Sequence, residues 1–318
     1  MRVSLLCLLL GASICHAETG VVRFAPAPME SDLPAMYQMS PAKFSFRLEA
    51  KRSLPASAVD ILDLTFPSPV KSIHASNNTV HARYFRPHGD GPFPAVILLE
   101  ILQGGEELAE GLGMYLAQNK IAALFVRMSY YGPRRPPGER IRLMSPDIDQ
   151  TTENVRQTIM DCRYATAWLG SRPEIDPEQL GICGTSMGSF LSALTGAMEP
   201  RLKKVALVLS GGSLVEVYYE LPIAAPFRRI NELLGGSKQK LKNVIDKIDP
   251  ITYAGYLKGR DVLIIAAKND SIVPPRAAQL LWEASGKQKI LWIDSDHYTA
   301  ALYIVPMLRA IHEHFQPK

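Results

Sequence analysis

Six aliphatic runs recur along this chain: PAVILLEIL from Pro94, IAALFVRM from Ile121, LGICG from Leu180, KVALVLS from Lys204, DVLIIAA from Asp261 and KILWIDS from Lys289. Strands that face solvent on one side alternate apolar and polar residues, so uninterrupted runs of this length imply strands covered on both faces. Patterns of helical period separate them: Glu107 to Asn119, Asp149 to Leu169, Ser189 to Met198, Ala277 to Ser285 and Ala300 to Phe315. Strand and helix in alternation force a mostly parallel sheet with helices on both faces, an α/β fold. Ahead of this core, Ala58 to Phe66 and Thr79 to Phe85 alternate like exposed antiparallel strands, expected at one edge of the sheet.

The domain organisation follows from what surrounds these runs. Residues 1–17, with Arg2, an apolar stretch from Leu5 and small residues ending at Ala17, fit a secretory signal cleaved after Ala17. That reading predicts a secreted or periplasmic protein with no stable membrane insertion, because no apolar stretch reaches bilayer length. Residues 18–57 read as a Pro-rich, weakly patterned lead, and 58–318 as the folded domain. Within it, 213–257 interrupts the alternation with aromatic residues and two helical patterns, which suits a small cap. Removing the signal leaves Cys162 and Cys183, expected as buried thiols. Asn77 opens an Asn-Asn-Thr sequon, a glycosylation acceptor only in a eukaryotic secretory route.

Thirty-five basic and thirty-one acidic residues leave a net charge of +4 without a long block of one sign, which argues against a nucleic-acid partner. The histidines lack a second ligand type at metal-binding spacing, so no metal is expected.

The stretch LGICGTSMGSF, Leu180 to Phe190, joins a buried run to a helix through Gly184-x-Ser186-x-Gly188. A serine there sits on a sharp turn that lifts its hydroxyl above the carboxyl edge of the sheet, and the next amide, on Met187, opens a helix. A serine hydroxyl is a weak nucleophile unless a base takes its proton and a carboxylate orients that base. Downstream, KNDSIVPP places Asp270 after one buried run, and DSDHYTAAL places His297 after the last. Asp294 and Asp296 are alternative acids. Serine, acid, histidine is the order such a sheet requires.

GTSMGS, KNDSIVPP and SDHYTAAL together resemble the nucleophile elbow, acid turn and histidine loop of the α/β-hydrolase family, over roughly Ala58 to the C-terminus. The resemblance implies an eight-stranded sheet, a cofactor-free Ser186-His297-Asp270 triad and hydrolysis of a small-molecule ester. PAVILLEILQGG and VRMSYYGPRRP are most similar to the dienelactone-hydrolase-like and acyl-esterase or peptidase-like branches. If Glu100-Ile101 matches the Glu-Ile pair of dienelactone hydrolases, the Ile101 amide completes an oxyanion hole with Met187. If Gln103-Gly104 replaces the commoner His-Gly, a later amide does so. In the loop after the second apolar run, Tyr130, Tyr131, Arg134 and Arg135 are candidates to bind an anionic or sugar group, or else pair internally. A peptidase of the prolyl-oligopeptidase type and a non-catalytic binding protein are the competing functions.

Overall fold

The computed structural model describes residues 17–317 apart from 103, 105, 140, 146, 220, 222, 223 and 234. The expected signal, save Ala17, and Gln103 lie outside the described residues. In chain order come β1 (Glu18–Phe24), β2 (Ala42–Leu54), β3 (Val59–Pro67), β4 (Thr79–Pro87), β5 (Phe93–Leu99), α1 (Glu106–Gln118), β6 (Ala122–Val126) and α2 (Ile148–Gly170). Then follow β7 (Ile175–Thr185), α3 (Met187–Met198), β8 (Leu202–Val208) and four short helices, α4 (Leu214–Tyr218), α5 (Ala225–Leu233), α6 (Lys238–Ile245) and α7 (Pro250–Tyr253). The chain closes with β9 (Asp261–Ala267), α8 (Pro275–Ala284), β10 (Lys289–Ile293) and α9 (Ile304–Phe315).

All strands join one sheet in the order β1-β2-β3-β4-β6-β5-β7-β8-β9-β10. From β6 to β10 every pair is parallel, and β1 to β4 run antiparallel. The sheet therefore has ten strands rather than the eight that the family resemblance implied. The difference comes from the lead, 18–57, which supplies β1 and β2 rather than a weakly patterned segment. Only Val22 and Phe24 in β1, and Phe44 and Leu48 in β2, are buried, with charged residues between and beyond them. So thin a stripe suffices for β1 at the sheet edge and for β2 beside it, whose second face meets water.

Every residue of β5 and β6 is buried, and alternate positions serve opposite faces. Ile97 and Leu99 pack in one core with Ile159 and Trp168 of α2 and Leu191 of α3. Val96 and Leu98 pack in the other with Leu116 of α1 and Ile311 of α9. The last expected helix, Ala300 to Phe315, divides into a 3-10 turn, Thr299–Tyr303, and α9. Pro306 explains the break: it lacks an N–H and is tolerated in the first turn of α9 but not in the interior of a helix begun at Ala300.

β5 lies between β6 and β7, so the connection through α1 leaves on one side and that through α2 returns on the other. This reversal opens a crevice above the carboxyl ends of β5 and β7, where ligands bind in such sheets. Leu99 pairs with Gly184, which sets Ile101 and Ser186 at equal distance beyond that pair.

Candidate active site

Ser186 stands between the last residue of β7 and the first of α3 with φ 52° and ψ −117°, a conformation that costs an L-residue about 1–3 kcal/mol. Two packing demands hold it there. A Cβ at Gly184 would lie 2.2 Å from the Gly188 carbonyl oxygen, and one at Gly188 would lie 2.5 Å from the carbonyl oxygens of both Leu99 and Glu100. Only glycine at both positions lets the strand, the helix and the end of β5 approach so closely. The Ser186 amide donates to the Val208 carbonyl at 2.8 Å, and its own carbonyl accepts from Ser189 Oγ at 2.6 Å.

The three residues proposed from sequence come together. Ser186 Oγ is 3.1 Å from His297 Nε2, and His297 Nδ1 is 2.7 Å from Asp270 Oδ2. Asp270 Oδ1 accepts from the amides of Ile272 and Val273 at 2.8 and 2.7 Å, so both oxygens of this buried carboxylate are engaged. The Asp270 carboxylate accepts a hydrogen bond from Nδ1–H, which keeps the ring proton on Nδ1 and leaves Nε2 bare and directed at the serine hydroxyl. The backbone ties the two loops: Lys268 and Asn269 amides donate to the carbonyls of Ile293 and Ser295.

The alternative acids are committed elsewhere. Asp294 accepts from Asn269 Nδ2. Asp296 accepts from the amides of Tyr298 and Thr299 at 2.8 Å, and those backbone hydrogen bonds hold its carboxyl below the ordinary carboxylate range.

The amides of Met187 and Ile101 donate to nothing among the described residues. Met187 is an uncapped first residue of a helix, where an N–H has no intrahelical partner.

The arginine-loop assignment needs correction. Arg134 is fully buried: its Nη1 and Nη2 donate to the carbonyls of Arg127 and Asn77, and Nη2 lies 2.7 Å from Asp161 Oδ2, also fully buried. Tyr130 and Tyr131 are buried, Tyr131 within the main core, and Arg135 is exposed with a long contact to the Tyr130 carbonyl. None of the four lines the cavity beside Ser186. Asn77 is corrected too, since it is buried and its amide nitrogen donates to Gln157 Oε1 at 2.7 Å, which leaves no access for a glycan.

Arg134→Ala is therefore expected to lower stability by about 3–5 kcal/mol, because Asp161 would stay buried without its cation. It should change kcat/KM equally for neutral and anionic esters. Thermal melting together with both kinetic series checks this, and a loss confined to the anionic ester would return Arg134 to substrate binding.

Beside Ser186 lies a cavity of about 420 Å³. Its walls come from α2, α3, the acid turn and the insertion expected as a cap. Asp249 fixes the base of that insertion: its carboxylate accepts from the amides of Ser213, Leu214 and Ile251, which brings the two ends of the cap together. Tyr218 of α4 lines the cavity and was not singled out from sequence. Burial, with the charge of Asp270, pushes its hydroxyl above the ordinary tyrosine value, and that hydroxyl meets no partner among the described residues. Its only sequence signal is membership of an aromatic-rich insertion, which cannot tell a cavity wall from outer packing.

Cys162 and Cys183 are buried free thiols, and burial pushes Cys183 up to about 12. Among the described residues no cluster of metal-ligating side chains is assembled, and no helix is long and apolar enough to cross a membrane.

Residues 150–293 match the prolyl oligopeptidase family. The fold is similar to that of an acetyl xylan esterase from Paenibacillus sp. R4, at 17% identity and a TM-score of 0.66, over 85% of this chain and 88% of that one. It is also similar to acetyl xylan esterase 1 from Thermoanaerobacterium sp. JW/SL YS485, at 19% identity and a TM-score of 0.61, over 82% and 87%. A cold-adapted esterase from an Arctic intertidal metagenomic library shares it at 16% identity and a TM-score of 0.54, over 84% and 97%. No curated protein matches the sequence. With a serine raised on a strained turn at the switch point of its sheet, this chain has the α/β-hydrolase fold.

Proposed function

We propose that this chain hydrolyses carboxylic esters through a covalent acyl-enzyme. The observation that carries the reading is the hydrogen-bonded row Ser186, His297, Asp270 opening onto a cavity whose described lining holds no charged side chain. Ser186 Oγ attacks the acyl carbon as His297 Nε2 takes its proton. The oxyanion that forms lies against the Met187 and Ile101 amides, fixed dipoles that need no reorientation as charge develops. His297 then gives the proton to the departing alkoxide, which leaves as the alcohol. In the second half His297 takes a proton from water as the oxygen attacks the acyl carbon, then returns it to Ser186 Oγ, which regenerates the serine as the carboxylic acid departs. Asp270 holds the Nδ1–H tautomer and stabilises the imidazolium in both halves.

The match to the prolyl oligopeptidase family favours a second reading, peptide-bond hydrolysis. A peptide brings backbone donors and acceptors that need partners when buried. The described cavity lining offers side-chain polar atoms only on Ser186, Tyr218 and Tyr219, and Tyr219 is engaged with Glu232. A fluorophosphonate should label Ser186, and p-nitrophenyl esters should be cleaved in preference to matched peptide p-nitroanilides. Faster amide cleavage would make it a peptidase, and a protein that is neither labelled nor active would be a binding protein on this fold.

The leader supports export. Mass measurement on the exported fraction of the native host is expected to place the mature N-terminus at Glu18, and a retained Met1 would overturn this.

A further inference from the structure

We infer that the cavity beside Ser186 is an acyl-chain site, and that the preferred substrate is an ester of an uncharged, unbranched acyl group of about eight to ten carbons. This rests on the ester-hydrolase reading and departs from the short acetyl group named in the structural neighbours. Met187, Phe190, Leu191 and Leu194 occupy positions i, i+3, i+4 and i+7 of α3 and all line the cavity. That spacing makes one continuous apolar stripe along the helix, of which Met187 and Phe190 stand nearest the nucleophile and the almost fully buried Leu191 and Leu194 form the cavity floor. Val155 of α2, Ile245 at the end of the cap's α6 and Ile248 just beyond it also line the cavity.

The length of the stripe sets the length of the chain it can hold. Leu194 lies eight residues beyond Ser186, about 12 Å along the axis at the helical rise. Carbon–carbon bonds of about 1.5 Å advance roughly 1.25 Å each in an extended chain, so about nine to ten bonds span that distance. An acetyl group would reach only the mouth and leave the apolar cavity beyond it unfilled. An acetylated sugar would bring hydroxyls to a lining whose described polar side chains are Ser186, Tyr218 and Tyr219. A saturated acyl chain needs no polar partner.

A series of p-nitrophenyl esters from acetate to palmitate tests the inference. Each buried methylene should raise kcat/KM roughly three- to fourfold, so octanoate should exceed acetate by at least about a hundredfold, with no further rise beyond decanoate. Ile245→Trp, and separately Leu194→Phe, should narrow the far end and lower the octanoate-to-butyrate ratio at least about tenfold as the buried methylenes lose their place. Melting temperatures show whether each variant is folded. A Ser186→Ala protein titrated with decanoate and with acetate gives a readout independent of turnover, and only decanoate should bind.

An optimum at acetate, with the ratio unmoved in a folded variant, would overturn the acyl-chain site and leave the hydrolase reading standing. Binding of decanoate by Ser186→Ala, with no ester of any length cleaved by the unaltered protein, would do the reverse. Failure of decanoate to bind would also overturn the site, whatever the two narrowing variants do.

Discussion

Ser186→Ala is expected to lower kcat on any ester substrate by roughly four to six orders of magnitude, since it removes the only atom that bonds to the acyl group. The fold should survive. The substitution deletes one hydroxyl, whose hydrogen-bond partner is the His297 ring, and the backbone bonds to Val208 and Ser189 do not involve the side chain. The strained φ of 52° is equally awkward for alanine, so the change in melting temperature should be small. Steady-state kinetics and a thermal melt on the same preparation check both halves. Retained activity in a homogeneous Ser186→Ala sample would remove the covalent mechanism.

Asp270→Asn is expected to cost about four orders of magnitude in kcat with little structural change. The asparagine oxygen can still accept from Ile272 and Val273, which keeps the acid turn in place. Its NH₂ group, however, would face Nδ1 of His297 and donate to it. The ring would then carry its proton on Nε2, pointed at Ser186, and could not take the serine's proton. Asp294→Asn and Asp296→Asn should change kcat less than about fivefold, because neither carboxylate touches the ring in the order that the triad logic requires. Measured rates in the opposite ranking would transfer the acid's role to the histidine loop.

The parts of this molecule that could be read from its sequence are those in which one residue's environment is set by its immediate neighbours. Strands β5 to β9 are parallel and interior, so their composition alone betrays them, the edge strand β10 keeps the same aliphatic run, and Ser186, Asp270 and His297 each follow the end of such a strand. β1 and β2 were not legible because each buries only two residues and leaves most of the others exposed, a pattern shared with ordinary loops. Arg134 shows a different limit. Its buried guanidinium is satisfied by Asn77, Arg127 and Asp161, from three separate segments, and nothing near position 134 in the chain announces them. The cavity was equally hidden, since the stripe on α3 has the same spacing whether it meets a core or a void.

The carboxylate of Asp249 gathers the two ends of a segment 36 positions long into one set of hydrogen bonds. The cap is thus a closed excursion that leaves and rejoins the sheet at a single anchored point. Lengthening such an excursion costs little, about 0.6 kcal/mol for each doubling, and what lies between residues 213 and 249 does not carry the strands that hold Ser186, Asp270 and His297. Grafting a cap from another hydrolase between these two positions should therefore exchange the substrate while keeping the catalytic apparatus, which makes the cap a cassette and Asp249 its socket.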